Sequence, residues 1–199
     1  KKMSYIEAIL LGAIQGITEW LPISSSSIVS LVSLSFFGES LNQTLYFSIW
    51  LHLGTFFSAL VYFRKDLLAL LREVPLYLKG KSKGEEKQVF TFLLYSTLVS
   101  GILGGLFLFL GLEYFFENDS FVMLLIALPL IATGIIQLFA KKQDIEKAVN
   151  GYDGFILGLV QAFSIIPGLS RSGLTISTLL FKKYSGDQAL RLSFLMGLP

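Results

Sequence analysis

The 199 residues are 53% hydrophobic and 15% charged, with 18 phenylalanines and a net charge of +2. A soluble domain of this length cannot hide that much apolar surface, and with a mean hydropathy of +0.68 the chain reads as an all-α integral membrane protein. The small net charge gives no reason to expect nucleic-acid binding, and the lack of cysteine excludes disulfides and thiolate chemistry.

In chain order, residues 5–38 form the first apolar stretch. It is too long for one helix and is interrupted at Pro22 and by Ser24, Ser25, Ser26 and Ser27. Residues 45–63, 89–110 and 121–140 each supply about 20 mostly apolar residues, the length that crosses a hydrocarbon core. Residues 67–78 mix apolar and basic faces and read as a short helix on the membrane surface. Residues 154–181 form a second interrupted stretch, broken at Pro167-Gly168 and by Ser170-Arg171-Ser172. The loop 64–87 carries Arg64, Lys65, Arg72, Lys79, Lys81, Lys83 and Lys87, and the loop 141–151 carries Lys141, Lys142 and Lys147. Between them, the loop 111–120 has Glu113, Glu117 and Asp119 and no cation. The positive-inside rule puts the two basic loops in the cytoplasm and the acidic one outside.

The two interrupted stretches are versions of one another. Residues 11–26 align without a gap on residues 157–172, with identities at Leu11/Leu157, Gly12/Gly158, Gln15/Gln161, Ser24/Ser170 and Ser26/Ser172. Broken helices at membrane depth survive only where they are buried in protein or line a wet cavity, so both stretches read as re-entrant helical hairpins. Three spans separate them. The first hairpin therefore enters from outside and the second from the cytoplasm, which makes the halves inverted repeats. The expected architecture is one membrane domain over residues 1–199. Residues 5–140 are its first repeat and residues 152–199 the start of the second, with the C-terminal part missing. By the same repeat logic, residues 193–199 begin a helix that is cut off, and a full second half would run about 85 residues further.

Glu19 is the acidic residue well inside the first apolar run, and Gln15 lies one helical turn before it on the same face. An ionised group at that depth costs a few kcal/mol and marks a functional site by default; the structural alternative is a polar pair that satisfies a helix break. Arg171 is the cation of the second hairpin, with Ser170 and Ser172 beside it and Thr175 one turn on. Its guanidinium fork suits phosphate oxygens, and a helix starting near Ser172 would add free N–H groups; alternatively Arg171 pairs with Glu19 as structural glue. Serine clusters in membrane helices often only pack, but a serine beside a carboxylate and an arginine can attack phosphorus. His52, the one histidine, reads as a cavity or packing residue, and Gly101, Gly104 and Gly105 as sites of close helix packing.

The segments Gln15-Gly16-Ile17-Thr18-Glu19-Trp20-Leu21-Pro22-Ile23-Ser24-Ser25-Ser26 and Pro167-Gly168-Leu169-Ser170-Arg171-Ser172-Gly173-Leu174-Thr175 resemble the paired motifs of the undecaprenyl-diphosphate phosphatase family, known for bacitracin resistance. The resemblance spans essentially the whole chain. It implies removal of the terminal phosphate from a C55 polyprenyl diphosphate, which recycles the carrier lipid for cell-wall synthesis, with help from a divalent cation, Mg2+ or Ca2+. It further implies Ser25 as nucleophile and Glu19 as base or cation ligand, with Gln15, Ser24 and Ser26 in support. Arg171, Ser170, Ser172 and Thr175 would cradle the diphosphate. The implied location is the cytoplasmic membrane, multi-pass, with the active site facing outside and homo-oligomers admitted. The family commonly follows its serines with Gly-His, where this chain has Ser27-Ile28. Competing readings are a transporter or flippase of polyprenyl phosphate, since inverted repeats with broken helices are a transporter architecture, and a catalytically silent lipid-binding relative.

Overall fold

The computed structural model describes residues 4–39, 41–110, 119–142, 144, 146–166 and 168–198. Pro167, Pro199 and the acidic segment with Glu113 and Glu117 lie outside the described residues. Within them the chain is all-helical. The helices are α1 (Tyr5–Thr18), α2 (Ser25–Phe36), α3 (Leu41–Tyr62), α4 (Arg64–Leu78), α5 (Gly84–Phe109), α6 (Asp119–Phe139), α7 (Gly151–Ala162), α8 (Arg171–Phe181) and α9 (Gly186–Met196), with a 3-10 turn at Phe163–Ile165 after α7.

Both interrupted stretches are helix–break–helix units. α1 packs on α2, and both pack on α3; α7 packs on α8, which packs on α9. The segment expected at residues 45–63 is α3, which ends one residue earlier. After it the chain turns by 75° at Phe63 into α4, so the short helix expected from residue 67 begins at Arg64. Among the described residues one unbroken helix, over Gly84–Phe107 of α5, is long and apolar enough to cross a membrane. Ser193 to Met196 lie in α9, whose first residue is Gly186, so the helix expected from residue 193 starts earlier.

Polarity is distributed as a hydrocarbon solvent requires. Gln15, Ser33, Thr44, Thr133, Thr175 and Ser177 are fully buried, whereas Ile6, Ile9, Trp50, Tyr62, Phe109 and Leu138 are exposed. The most extensive helix contact is α5 on α7, and it depends on two glycines one turn apart. A Cβ on Gly154 would collide with the Phe92 backbone, and one on Gly158 would come within 2.8 Å of the Ser96 carbonyl oxygen. Gly101, Gly104 and Gly105 instead face open space among the described residues, so the close approach is made from α7 and not from that trio.

The basic end of α7 is organised around one carboxylate. Asn150 caps α7, accepting from the Asp153 N–H at 2.8 Å. Buried Asp153 accepts from Lys147 Nζ at 2.8 Å and Tyr184 Oη at 2.8 Å, and pairs with Lys182 Nζ at 2.8 Å. Burial alone would raise the Asp153 pKa; the hydrogen bonds from Lys147, Lys182 and Tyr184 outweigh it and hold the group at about 2. Burial, and then the hydrogen bond to and charge of Asp153, push the Tyr184 phenol upward. Because the Asp153 pKa is depressed in the folded state, its contribution to stability is full above the unfolded carboxylate value of about 4. That contribution disappears as pH falls toward 2. Asp153→Asn is expected to cost about 2 kcal/mol at neutral pH. Thermal melting of detergent-solubilised protein should show the gap from wild type closing between pH 4 and pH 2.

Candidate active site

The first break arises where Pro22, lacking an N–H, cannot continue α1. Glu19 ends α1, its N–H donating to the Gln15 carbonyl at 2.9 Å. Ser24 then takes extended backbone as the N-cap of α2, and Ser25 opens the helix. The chain folds back far enough for Ser25 Oγ to donate to Glu19 Oε2 at 2.6 Å. Gln15 Nε2 donates to the same oxygen at 2.9 Å. Ser24 Oγ is engaged by Ser27 at 2.8 Å and Ser26 at 3.3 Å.

At the second break, Gly168 takes φ of +92°, a conformation side chains rarely adopt. Ser170 then caps α8, its Oγ accepting from the Gly173 N–H at 3.1 Å, and Arg171 becomes the first helical residue.

The two breaks meet. Arg171 Nη2 lies 3.5 Å from Glu19 Oε1. Ser172 Oγ donates to the Leu21 carbonyl at 3.0 Å and Gln137 Nε2 donates to the Pro22 carbonyl at 2.6 Å, so carbonyls freed by the first break are capped by α8 and α6. Thr133, one turn from Gln137 on α6, accepts from the Ser170 N–H at 3.4 Å. Glu19, Ser24, Ser25, Ser26, Ser170, Arg171 and Ser172 line one cavity of about 410 Å³, whose other walls include Trp20, Phe56, Phe194 and Leu198. An ionic and hydroxyl-rich surface thus adjoins an aromatic one, as an amphiphile with an anionic head requires.

Gln15 and Thr175 do not reach the cavity. Gln15 is fully buried behind Glu19. Thr175 is also fully buried, and its hydroxyl bonds the Arg171 carbonyl at 2.8 Å and Ser193 Oγ at 2.6 Å, tying α8 to α9. Ile28 is not among the cavity residues, but His52 is, reaching in from α3 to place Nε2 3.4 Å from Glu19 Oε2. That contact, the bracing by Thr133 and Gln137, and the aromatic wall were not read from the sequence.

Chemically, a hydroxyl held 2.6 Å from a carboxylate has the geometry a nucleophile and its base require. A guanidinium at the start of an 11-residue helix offers the donors an anion would need. Gly197 sets the guanidinium's position, because a Cβ there would collide with it. Gly197→Ala is expected to displace Arg171 and lower turnover about 10- to 100-fold while thermal melting stays near wild type. For a divalent cation the donor set is sparse. Among the described residues no three His, Asp, Glu or Cys side chains cluster, and both Glu19 oxygens already face protein donors. Mg2+ is usually held by one or two carboxylates with substrate phosphates and water; here Glu19 would supply the carboxylate, and diphosphate oxygens and water most of the shell.

Comparison with known proteins gives concordant matches. The family model described as bacitracin resistance protein BacA matches residues 8–199. The chain is 43% identical over 199 residues to an undecaprenyl-diphosphatase of Methanococcoides burtonii, covering 99% of this chain and 75% of that protein. Proteins of the same name from Methanothrix thermoacetophila and Syntrophotalea carbinolica are each 37% identical, with 99% of this chain and 72% and 73% of their own lengths covered.

Proposed function

The chain belongs to the bacitracin resistance protein BacA family, and we infer from that membership and the site that it is a membrane undecaprenyl-diphosphatase. It hydrolyses undecaprenyl diphosphate to the monophosphate and inorganic phosphate. The observation that carries this reading is the 2.6 Å hydrogen bond from Ser25 to Glu19 in the same cavity as Arg171.

In the step this geometry supports, Ser25 Oγ attacks the terminal phosphorus and its proton passes to Glu19 Oε2. The bond from phosphorus to the bridging oxygen breaks, and undecaprenyl phosphate leaves. Glu19 returns the proton to the leaving group and then takes one from water, which attacks the phosphoserine; the bond from phosphorus to Ser25 Oγ breaks, Glu19 gives that proton to Ser25 Oγ, and phosphate is released. Arg171, Ser170 and Ser172 hold the phosphate oxygens and stabilise charge on them, the main work of phosphoryl transfer. No step is routed through a cation; Mg2+ or Ca2+ would enter with the diphosphate. Trp20, Phe56 and Phe194 suit the first isoprene units.

The two breaks are re-entrant, by this proposal, and residues 1–199 form one domain with its first repeat at 5–140 and its second from 152. The basic segments 64–87 and 141–151 face the cytoplasm, and the site opens toward the outer leaflet. The test is phosphate release from undecaprenyl diphosphate by purified full-length protein. A wild-type rate no greater than that of Arg171→Ala would overturn the assignment.

A further inference from the structure

Glu19 Oε2 has three neighbours. Gln15 comes from its own helix at 2.9 Å, Ser25 from α2 at 2.6 Å, and His52 Nε2 from α3 at 3.4 Å. The imidazole is oriented by its other nitrogen. Nδ1 lies 2.7 Å from the Ser48 carbonyl oxygen, which only accepts, so Nδ1 carries a hydrogen and is committed to the backbone of α3. Nε2 is left as the one ring nitrogen available to Glu19. The ring is anchored on one side, lines the cavity, and faces with Nε2 the carboxylate that holds Ser25.

The internal repeat, aligned over residues 11–26 and 157–172, pairs Glu19 with Ile165, so the second copy has no carboxylate for such a contact. We propose that His52 is a positioning residue of the active site. With Nδ1–H on the Ser48 carbonyl, a second hydrogen on Nε2 lets the imidazolium ring donate to Glu19 Oε2 from α3 and so keeps the carboxylate seated against Ser25 Oγ. This rests on the reading of Glu19 and Ser25 as base and nucleophile.

The test uses purified full-length protein carrying His52→Leu, His52→Asn or His52→Gln, with Ser25→Ala in parallel, all checked for wild-type-like melting. Glutamine places an amide N–H where Nε2 stands, and asparagine places one where Nδ1 stands. His52→Leu is expected to lower kcat roughly 10- to 100-fold and to leave KM within about threefold of wild type. His52→Gln should restore most of the rate, and His52→Asn should not. The proposal is overturned if His52→Leu keeps wild-type kcat, if asparagine restores as much as glutamine, or if glutamine restores nothing in a folded protein. Retained turnover in Ser25→Ala would instead defeat the base–nucleophile reading itself.

Discussion

Ser25→Ala is expected to lower the kcat of phosphate release from undecaprenyl diphosphate by about 10⁴-fold or more, the scale on which loss of a nucleophile acts. The neighbouring hydroxyls offer no substitute. Ser24 Oγ is taken up by Ser27 and Ser26, while Ser25 Oγ alone among the four serines donates to Glu19, at 2.6 Å. The change removes one oxygen at the first residue of α2 and leaves the Ser24 backbone cap position intact, so melting should move little. Ser26→Ala, beside it in the cavity, is the matched control and should cost far less. A Ser25→Ala protein that keeps a tenth of wild-type kcat or more would remove Ser25 from the reaction.

Arg171→Ala is expected to lower kcat by about 10³-fold or more, the range seen when an arginine that stabilises transferring phosphoryl charge is deleted. The guanidinium is held between Glu19, 3.5 Å away, and Gly197, which leaves it room. It is 28% exposed and so partly shielded from bulk water, where its attraction for phosphate oxygens is stronger than at a surface. Arg171→Lys keeps the charge but loses the planar fork, and should recover only a small part of the rate. Glu19 retains Gln15, Ser25 and His52 in either variant, so the loss should appear in turnover rather than in folding. Equal rates for Arg171→Ala and wild type at saturating substrate would refute the role.

Much of the site was legible because ionisable groups are costly in apolar segments. Glu19 and Arg171 stood out against their surroundings, and the internal repeat linked the stretches that carry them. Helices at residues 45–63, 89–110 and 121–140 were legible from their apolar length, though α3 and α5 begin earlier than their apolar cores because Asn42, Gln43, Glu85 and Glu86 also lie in helix. Thr175 was assigned to the diphosphate because it lies one turn beyond Arg171, but that turn faces α9. Which side of a helix meets a neighbour is a tertiary fact. The same limit applies to His52: it reads from the sequence as a cavity or packing residue, but Glu19 lies 33 positions earlier and only the packing of α3 on α1 brings the two together. Glycine clustering misdirected the packing expectation, since close approach is decided by where the partner backbone runs, at Gly154 and Gly158.

The hydrogen bonds that cap Leu21 and Pro22 from Ser172 and Gln137 also bear on how the protein is made. Until α6 and α8 have emerged from the ribosome and docked, the first break exposes carbonyls that hydrocarbon cannot satisfy. A nascent chain that ends before Ser172 therefore holds Glu19 and Ser25 in a tip with no lid on its polar backbone. The tip that carries Glu19 and Ser25 is thus closed late, by one residue of its own repeat, Gln137, and one of the other, Ser172.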